Sequence, residues 1–187
     1  MMQITRTLRT ADRESWRAWL SEHHATEPEV WLVYPRKATG KPRIHYNDAV
    51  EEALCWGWID STVKTLDADH TAQKFSPRRA RSGYSQPNEE RLRRMMAQGR
   101  VAEHVRAKLA DVPLDDFVTP PDILRALQAN PAAWNNLQCW SDSYLRIRVA
   151  FVDDARDRGD EFEKRLANLI RKSEQGKQFG FNIESYY

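Results

Sequence analysis

The sequence is poor in the features that mark the best-known chemistries. It has only two cysteines, Cys55 and Cys139, 84 positions apart and in no CxxC pair. That excludes a disulfide framework and a cysteine-based zinc site, and a reducing cytoplasm is the expected compartment. The seven glycines never cluster, so neither a phosphate-cradling loop nor a dinucleotide fingerprint is present. The five histidines form no HExxH or HxH spacing, and no metal site or cofactor is expected. No apolar run approaches the ~20 residues of a membrane span. The first sixteen residues carry Arg6, Arg9, Asp12, Arg13 and Glu14, with no apolar stretch of the secretory kind. Charge of one sign is missing as well: 29 basic residues face 27 acidic ones, which names no partner.

What is present fits a packed globule. The chain has 187 residues, 41% of them apolar, and seven tryptophans. A chain of this size buries a core without staples. Charge is uneven only locally. Between Pro77 and Lys108, nine basic residues meet Glu89, Glu90 and Glu103, and an acidic stretch from Asp111 to Asp122 follows.

Hydrophobic periodicity predicts a first helix over Asp12–His24, with Trp16, Trp19, Leu20 and His23 on one side. Val30–Tyr34 reads as a strand ended by Pro35. Asn47 is the expected cap of a second helix, with Tyr46, Ala49, Val50, Ala53 and Leu54 on its apolar face and Gly57 closing it. Trp58–Leu66 and Thr71–Ser76 read as a hairpin turning at Asp67–Asp69. Strict alternation there puts Trp58, Asp60, Thr62 and Lys64 on one face and Ile59 and Val63 on the other. Asn88 is expected to cap a helix whose inner stripe is Leu92, Met95, Met96 and Gly99, leaving its arginines on the opposite face. A further helix is expected over Val101–Leu109. After a Pro- and Asp-bearing connector the rest reads as helical: Asp122–Gln128, Pro131–Cys139, a helix capped by Ser141, and a last one opened by an Asp160/Glu163 capping box.

The fold class expected is α+β: a small antiparallel sheet packed by helices, with a C-terminal helical hairpin or bundle. The expected division is an α+β core over 1–110, a connector over 111–121, a helical subdomain over 122–178 and an aromatic tail over 179–187.

The run Val30-Trp31-Leu32-Val33-Tyr34, then Lys37-Ala38-Thr39-Gly40-Lys41-Pro42, then Glu51-Glu52-Ala53-Leu54-Cys55-Trp56-Gly57-Trp58-Ile59-Asp60-Ser61 resembles the front half of bacterial YdeI/OmpD-associated, bacteriocin-protection-like proteins. Phe75-Ser76-Pro77-Arg78-Arg79 and Tyr84-Ser85 through Asn88 continue the likeness. Ala126–Ile170 is similar in outline, although Ser141-Asp142-Ser143 stands where the family usually has a Pro-Ser turn. The resemblance implies a loose link to stress or antimicrobial tolerance, and no defined reaction.

The hairpin is expected to return Arg78 and Arg79 to Asp60, giving one polar centre. Its members are Trp56, Trp58, Asp60, Ser61, Lys64, Arg78, Arg79, Tyr84 and Asn88. Three readings fit it. It can be an ion pair that fixes a loop against the sheet. It can be a pocket for a small anionic or aromatic ligand, with aromatic walls and converging polar groups. It can be a catalytic centre with Asp60 as base and Ser61 as nucleophile, although no histidine adjoins them and no GxSxG elbow exists. Whether the chain is an enzyme stays open. A protein-interaction or stress-accessory module without a pocket is the alternative. Nucleic-acid binding through the Arg-rich 78–108 stretch comes third, because no recognition motif accompanies it.

Overall fold

The computed structural model describes residues 4–79, 82–110, 112, 114 and 116–180. The expected tail therefore lies outside the described residues beyond Gly180. The chain divides into two compact units: residues 1–84 with 91–112, and residues 85–90 with 113–187.

The first unit holds a four-stranded sheet in the order β1-β2-β4-β3, built from Thr7–Arg9, Val30–Pro35, His70–Pro77 and Trp58–Thr65. β3 and β4 form the expected antiparallel hairpin, and β4 pairs antiparallel with β2. The sheet is mixed rather than antiparallel because β1 lies parallel to β2. Sequence reading misses β1 for a simple reason: Thr7-Leu8-Arg9 offers a single apolar residue, and that one is half-buried.

Strand β2 is buried on both faces, as its unbroken apolar run requires. The register puts Val30 opposite Phe75, so Val30, Leu32, Tyr34 and Phe75 share one side. Helices α1 (Arg13–His23) and α2 (Tyr46–Cys55) belong to that side. Trp16 of α1 meets the Phe75 ring at 5.3 Å and donates its indole N–H to the Ala49 carbonyl of α2 at 3.0 Å. Asp12 caps α1 by accepting from the Ser15 N–H at 2.8 Å. Trp31, Val33 and Ala72 on the other face form a small cluster with Ile4 and Leu66.

Helix α2 starts one residue before the expected cap: His45, not Asn47, takes the cap position. Tyr46 is 45% exposed, so it leaves the apolar face assigned to it, while Ala49, Val50, Ala53 and Leu54 are fully buried. Helices α3 (Gln86–Ala97) and α4 (Glu103–Leu109) follow. Asn88 lies inside α3 rather than at its cap, and its N–H reaches the Ser85 carbonyl at 2.8 Å. Leu92 and Met95 are buried as expected, whereas Met96 is partly buried and Gly99 exposed.

The second unit contains α5 (Pro121–Gln128), α6 (Pro131–Gln138), α7 (Asp142–Asp153) and α8 (Glu161–Glu174). Ile123, Leu127, Leu137, Tyr144, Val149, Val152, Leu166 and Leu169 make its core. Ser141 caps α7 through the Tyr144 N–H, as expected. Asp160 makes no cap hydrogen bond, because its own backbone is already helical, so the expected capping box is not formed. Phe151 of α7 is 39% exposed.

Candidate functional site

The segment running from α2 into β3 turns at Gly57, whose φ of 76° suits a left-handed helix end. A side chain there would be strained, and its Cβ would come within 3.3 Å of the Val105 side chain. The hairpin does bring the chain back to this corner: the Arg78 N–H donates to the Gly57 carbonyl at 2.9 Å.

The arginine side chains do not follow. Arg78 donates to the Ser82 and Gly83 carbonyls at 3.0 and 2.8 Å, and its guanidinium lies 3.7 Å from the centre of the Tyr84 ring. Arg79 is exposed. The expected Asp60–Arg78/Arg79 pair is therefore absent among the described residues, because Ser82, Gly83 and Tyr84 supply acceptors and a ring closer to hand.

The tryptophans also separate. Trp58 is buried, donates to the His24 carbonyl at 3.1 Å and meets Trp19 edge-on. Trp56 packs on His24, with ring centres 4.8 Å apart, and lies under the Arg17 guanidinium. Lys64 leaves the Asp60 face altogether. The β3–β4 register shifts between Asp60 and Val63, a bulge at Ser61–Thr62. Past it the alternation inverts, and Lys64 lies over the Trp31 ring on the opposite face. Ser61 is exposed, and Asn88 belongs to the second unit.

Asp60 itself sits in a different polar group. Tyr46 donates its hydroxyl to Asp60 Oδ2 at 2.9 Å, and the Gln73 amide donates to the same oxygen at 2.6 Å. Among the described residues nothing donates to Oδ1. Beside this carboxylate lies a hollow of about 160 Å³ walled by Tyr34, Arg43, Tyr46, Val63, Thr71 and Gln73. Tyr34 is 7% exposed, and its buried hydroxyl has no hydrogen-bond partner among the described residues. Burial pushes the Tyr46 phenol up to about 12, with Asp60 reinforcing the shift, and burial pushes Tyr34 up as well. Both phenols thus stay protonated and can donate at neutral pH. The group offers a carboxylate, two phenols, an amide and a guanidinium for binding. It holds no thiol or imidazole to act as a nucleophile.

A second acidic centre lies in the same unit, missed by the sequence reading. Glu52 of α2 is fully buried and takes three arginines: Arg13 at 2.6 Å, Arg17 at 2.6 Å and Arg100 at 2.7 Å. Glu51 takes Arg13 at 2.8 Å. Arg91, placed by periodicity on a free basic face, is 7% exposed and donates to Asn47 at 2.9 Å. The Arg-rich stretch is thus partly consumed inside the first unit, which weakens the nucleic-acid reading. Nearby, Cys55 is buried, and burial with the adjacent Glu52 pushes its thiol up to about 12.

A domain of unknown function, DUF8412, matches residues 8–108, more than half of the chain. The chain belongs to the DUF8412 family. The bacteriocin-protection, YdeI or OmpD-associated family matches residues 116–176, so the second unit carries the domain that the resemblance named. The match falls on the half where the likeness was one of outline. The Trp56–Ser61 motif, and with it the Asp60 and Glu52 centres, lies in the DUF8412 region. No curated protein and no solved structure matches the chain.

Proposed function

We propose that the DUF8412 region is a binding unit for a small polar molecule, held in the hollow beside Asp60. The observation that carries this reading is the Tyr34 hydroxyl. A buried hydroxyl without a partner costs about 1–3 kcal/mol, and a ligand that bonds it recovers that cost. Asp60 Oδ1 accepts a donor from the same ligand, and Arg43 and Tyr34 donate to its acceptors. The volume is that of roughly five waters at ~30 Å³ each. It is below the ~300–1,000 Å³ of pockets for drug-sized molecules. That selects a small amide, urea or amino-acid-like ligand over a nucleotide or a fused aromatic. The Asp60 carboxylate, bonded to the wall residues Tyr46 and Gln73, disfavours a simple anion. This narrows the expected anionic or aromatic ligand and moves its site from the tryptophans to the tyrosines.

Two free thiols, one of them exposed, support action in a reducing compartment. No described helix is long and apolar enough to cross a membrane. The link to bacteriocin protection rests on the description of the matched family alone.

The test is a thermal-shift and NMR screen of the full chain with small amides, ureas and amino-acid amides. A hit should shift amide resonances of Tyr34, Tyr46 and Gln73. Its stabilisation should vanish in Asp60→Asn and weaken in Tyr34→Phe. A hit whose effect survives both substitutions binds elsewhere, and a screen with no hit removes the reading.

A further inference from the structure

The bulge in β3 puts two residues on one face of the sheet that strict alternation would keep apart. Asp60 stands opposite Phe75 and Val63 opposite Gln73, and Phe75 and Gln73 share a face of β4. Tyr34 of β2 stands opposite Thr71, which lies on that same face. The hollow beside Asp60 thus rests on three adjacent strands. Arg43 and Tyr46, just before and at the start of α2, complete its wall.

Two opposite charges border this hollow without pairing with each other. Arg43 reaches only the Pro35 carbonyl, through a long contact of 3.4 Å from Nη1. Asp60 meets only the neutral donors Tyr46 and Gln73. The second unit shows the usual outcome: Arg146 pairs directly with the buried carboxylate of Glu90 at 2.6 and 2.9 Å, with Ser143 at 2.9 Å from the same carboxylate. The Tyr34 phenol lies within reach of both unpaired charges. Burial first, then Tyr46 and Asp60, push it up, and Arg43 draws it down.

We propose that the hollow binds a free α-amino acid with a short side chain, as its zwitterion. Its ammonium group sits on Asp60 Oδ1, and its carboxylate takes Arg43 and the Tyr34 hydroxyl. The inference rests on the hollow being a ligand site and narrows the class of ligand. A simple anion would bring its charge up to Asp60, and a simple cation up to Arg43. A zwitterion meets both with the complementary sign. The guanidinium offers a planar fork of donors that matches a carboxylate, and an ammonium group brings several donors to the vacant oxygen. The small volume of about 160 Å³ suits glycine, alanine or serine rather than a long side chain. Val63, 57% exposed, gives a methyl group an apolar contact at the wall.

The experiment titrates the full chain, followed by NMR amide shifts, with probes built on one carbon skeleton. L-alanine carries both charges, L-alaninamide the ammonium alone, propionate the carboxylate alone, and propionamide neither. L-alanine should saturate about tenfold or more tighter than each of the others, the discrimination expected of a charge-assisted hydrogen bond. The shifts should centre on Tyr34, Val63, Thr71 and Gln73. Asp60→Asn should weaken L-alanine and L-alaninamide but not propionate. Arg43→Gln should weaken L-alanine and propionate but not L-alaninamide. Both variants should fold, since asparagine still accepts from Tyr46 and Gln73 and Arg43 is exposed; melting temperatures check this. Propionamide binding in the hollow as tightly as L-alanine overturns the zwitterion while leaving the hollow a ligand site. L-alanine affinity undiminished in Arg43→Gln overturns it too, as do shifts centred outside the hollow. Silence from all the probes also overturns it, and the hollow itself is then judged by the wider screen of amides and ureas.

Discussion

Glu52 and Asp60 lie eight residues apart on one helix-to-strand segment, yet their surroundings differ in kind. Glu52 is fully buried and meets three guanidinium groups from α1 and from the residue preceding Val101. Asp60 is partly buried and meets only neutral donors, a phenol and an amide, on one of its two oxygens. The first carboxylate is saturated and tied to distant chain segments; the second keeps an oxygen available beside a hollow. Saturation by charged partners marks a group that holds the fold, and incomplete neutral satisfaction marks one that can receive a ligand.

The sharpest way to break that contrast is at Glu52. Glu52→Ala leaves three arginines around an empty position and should cost on the order of 3–5 kcal/mol. That is enough to threaten a domain of ordinary stability. Urea melts of the variant and the parent measure it. A loss under about 1 kcal/mol would place Glu52 with exposed pairs and erase the distinction.

Tyr34→Phe probes the other side. Removing a buried hydroxyl that lacks a partner should leave stability unchanged or raise it by up to about 1 kcal/mol. The same urea melts decide. A clear loss would mean that the hydroxyl is already satisfied, and the Asp60 hollow would then resemble the Glu52 centre.

The smallest effect concerns pH. His104 stacks on His24, with ring centres 4.6 Å apart and planes at 15°. Burial, then the neighbouring His24, holds the His104 imidazole below its ordinary value. The unfolded chain, with a value near about 6.5, then binds more protons than the folded one. Stability from this group is full above that pH and is lost as pH falls through the folded value. His104→Asn should flatten this part of a stability-against-pH curve, and an unchanged slope would remove the assignment.

The elements with strong periodicity were legible in the sequence: α1, β2, the β3–β4 hairpin and the C-terminal helices. So were the left-handed end at Gly57 and the cap at Ser141. The centre around Asp60 was legible only in its first member. Alternation assumes an unbroken ladder, and one bulge at Ser61–Thr62 reversed the side of Lys64. A return of the chain to Gly57 was foreseeable, but a backbone hydrogen bond there says nothing of where Arg78 sends its side chain. The Glu52 centre draws on residues 13, 17 and 100, and no spacing rule links partners that far apart. Only the two adjacent glutamates inside the apolar run from Ala49 to Cys55 could have pointed to it.

Helix α3 has a bearing on modularity. Its first turn, with Glu90, belongs to the unit completed by residues 113–187, although Ser85–Glu90 fall inside the stretch matched by DUF8412. A gene fragment begun near residue 113 would therefore encode Arg146 and Ser143 without the carboxylate that binds both. The two family signatures can be written as successive segments of one sequence, but they cannot be excised with a single cut. A transplantable version of the second unit has to carry Ser85–Glu90 with it, as a permuted or grafted turn.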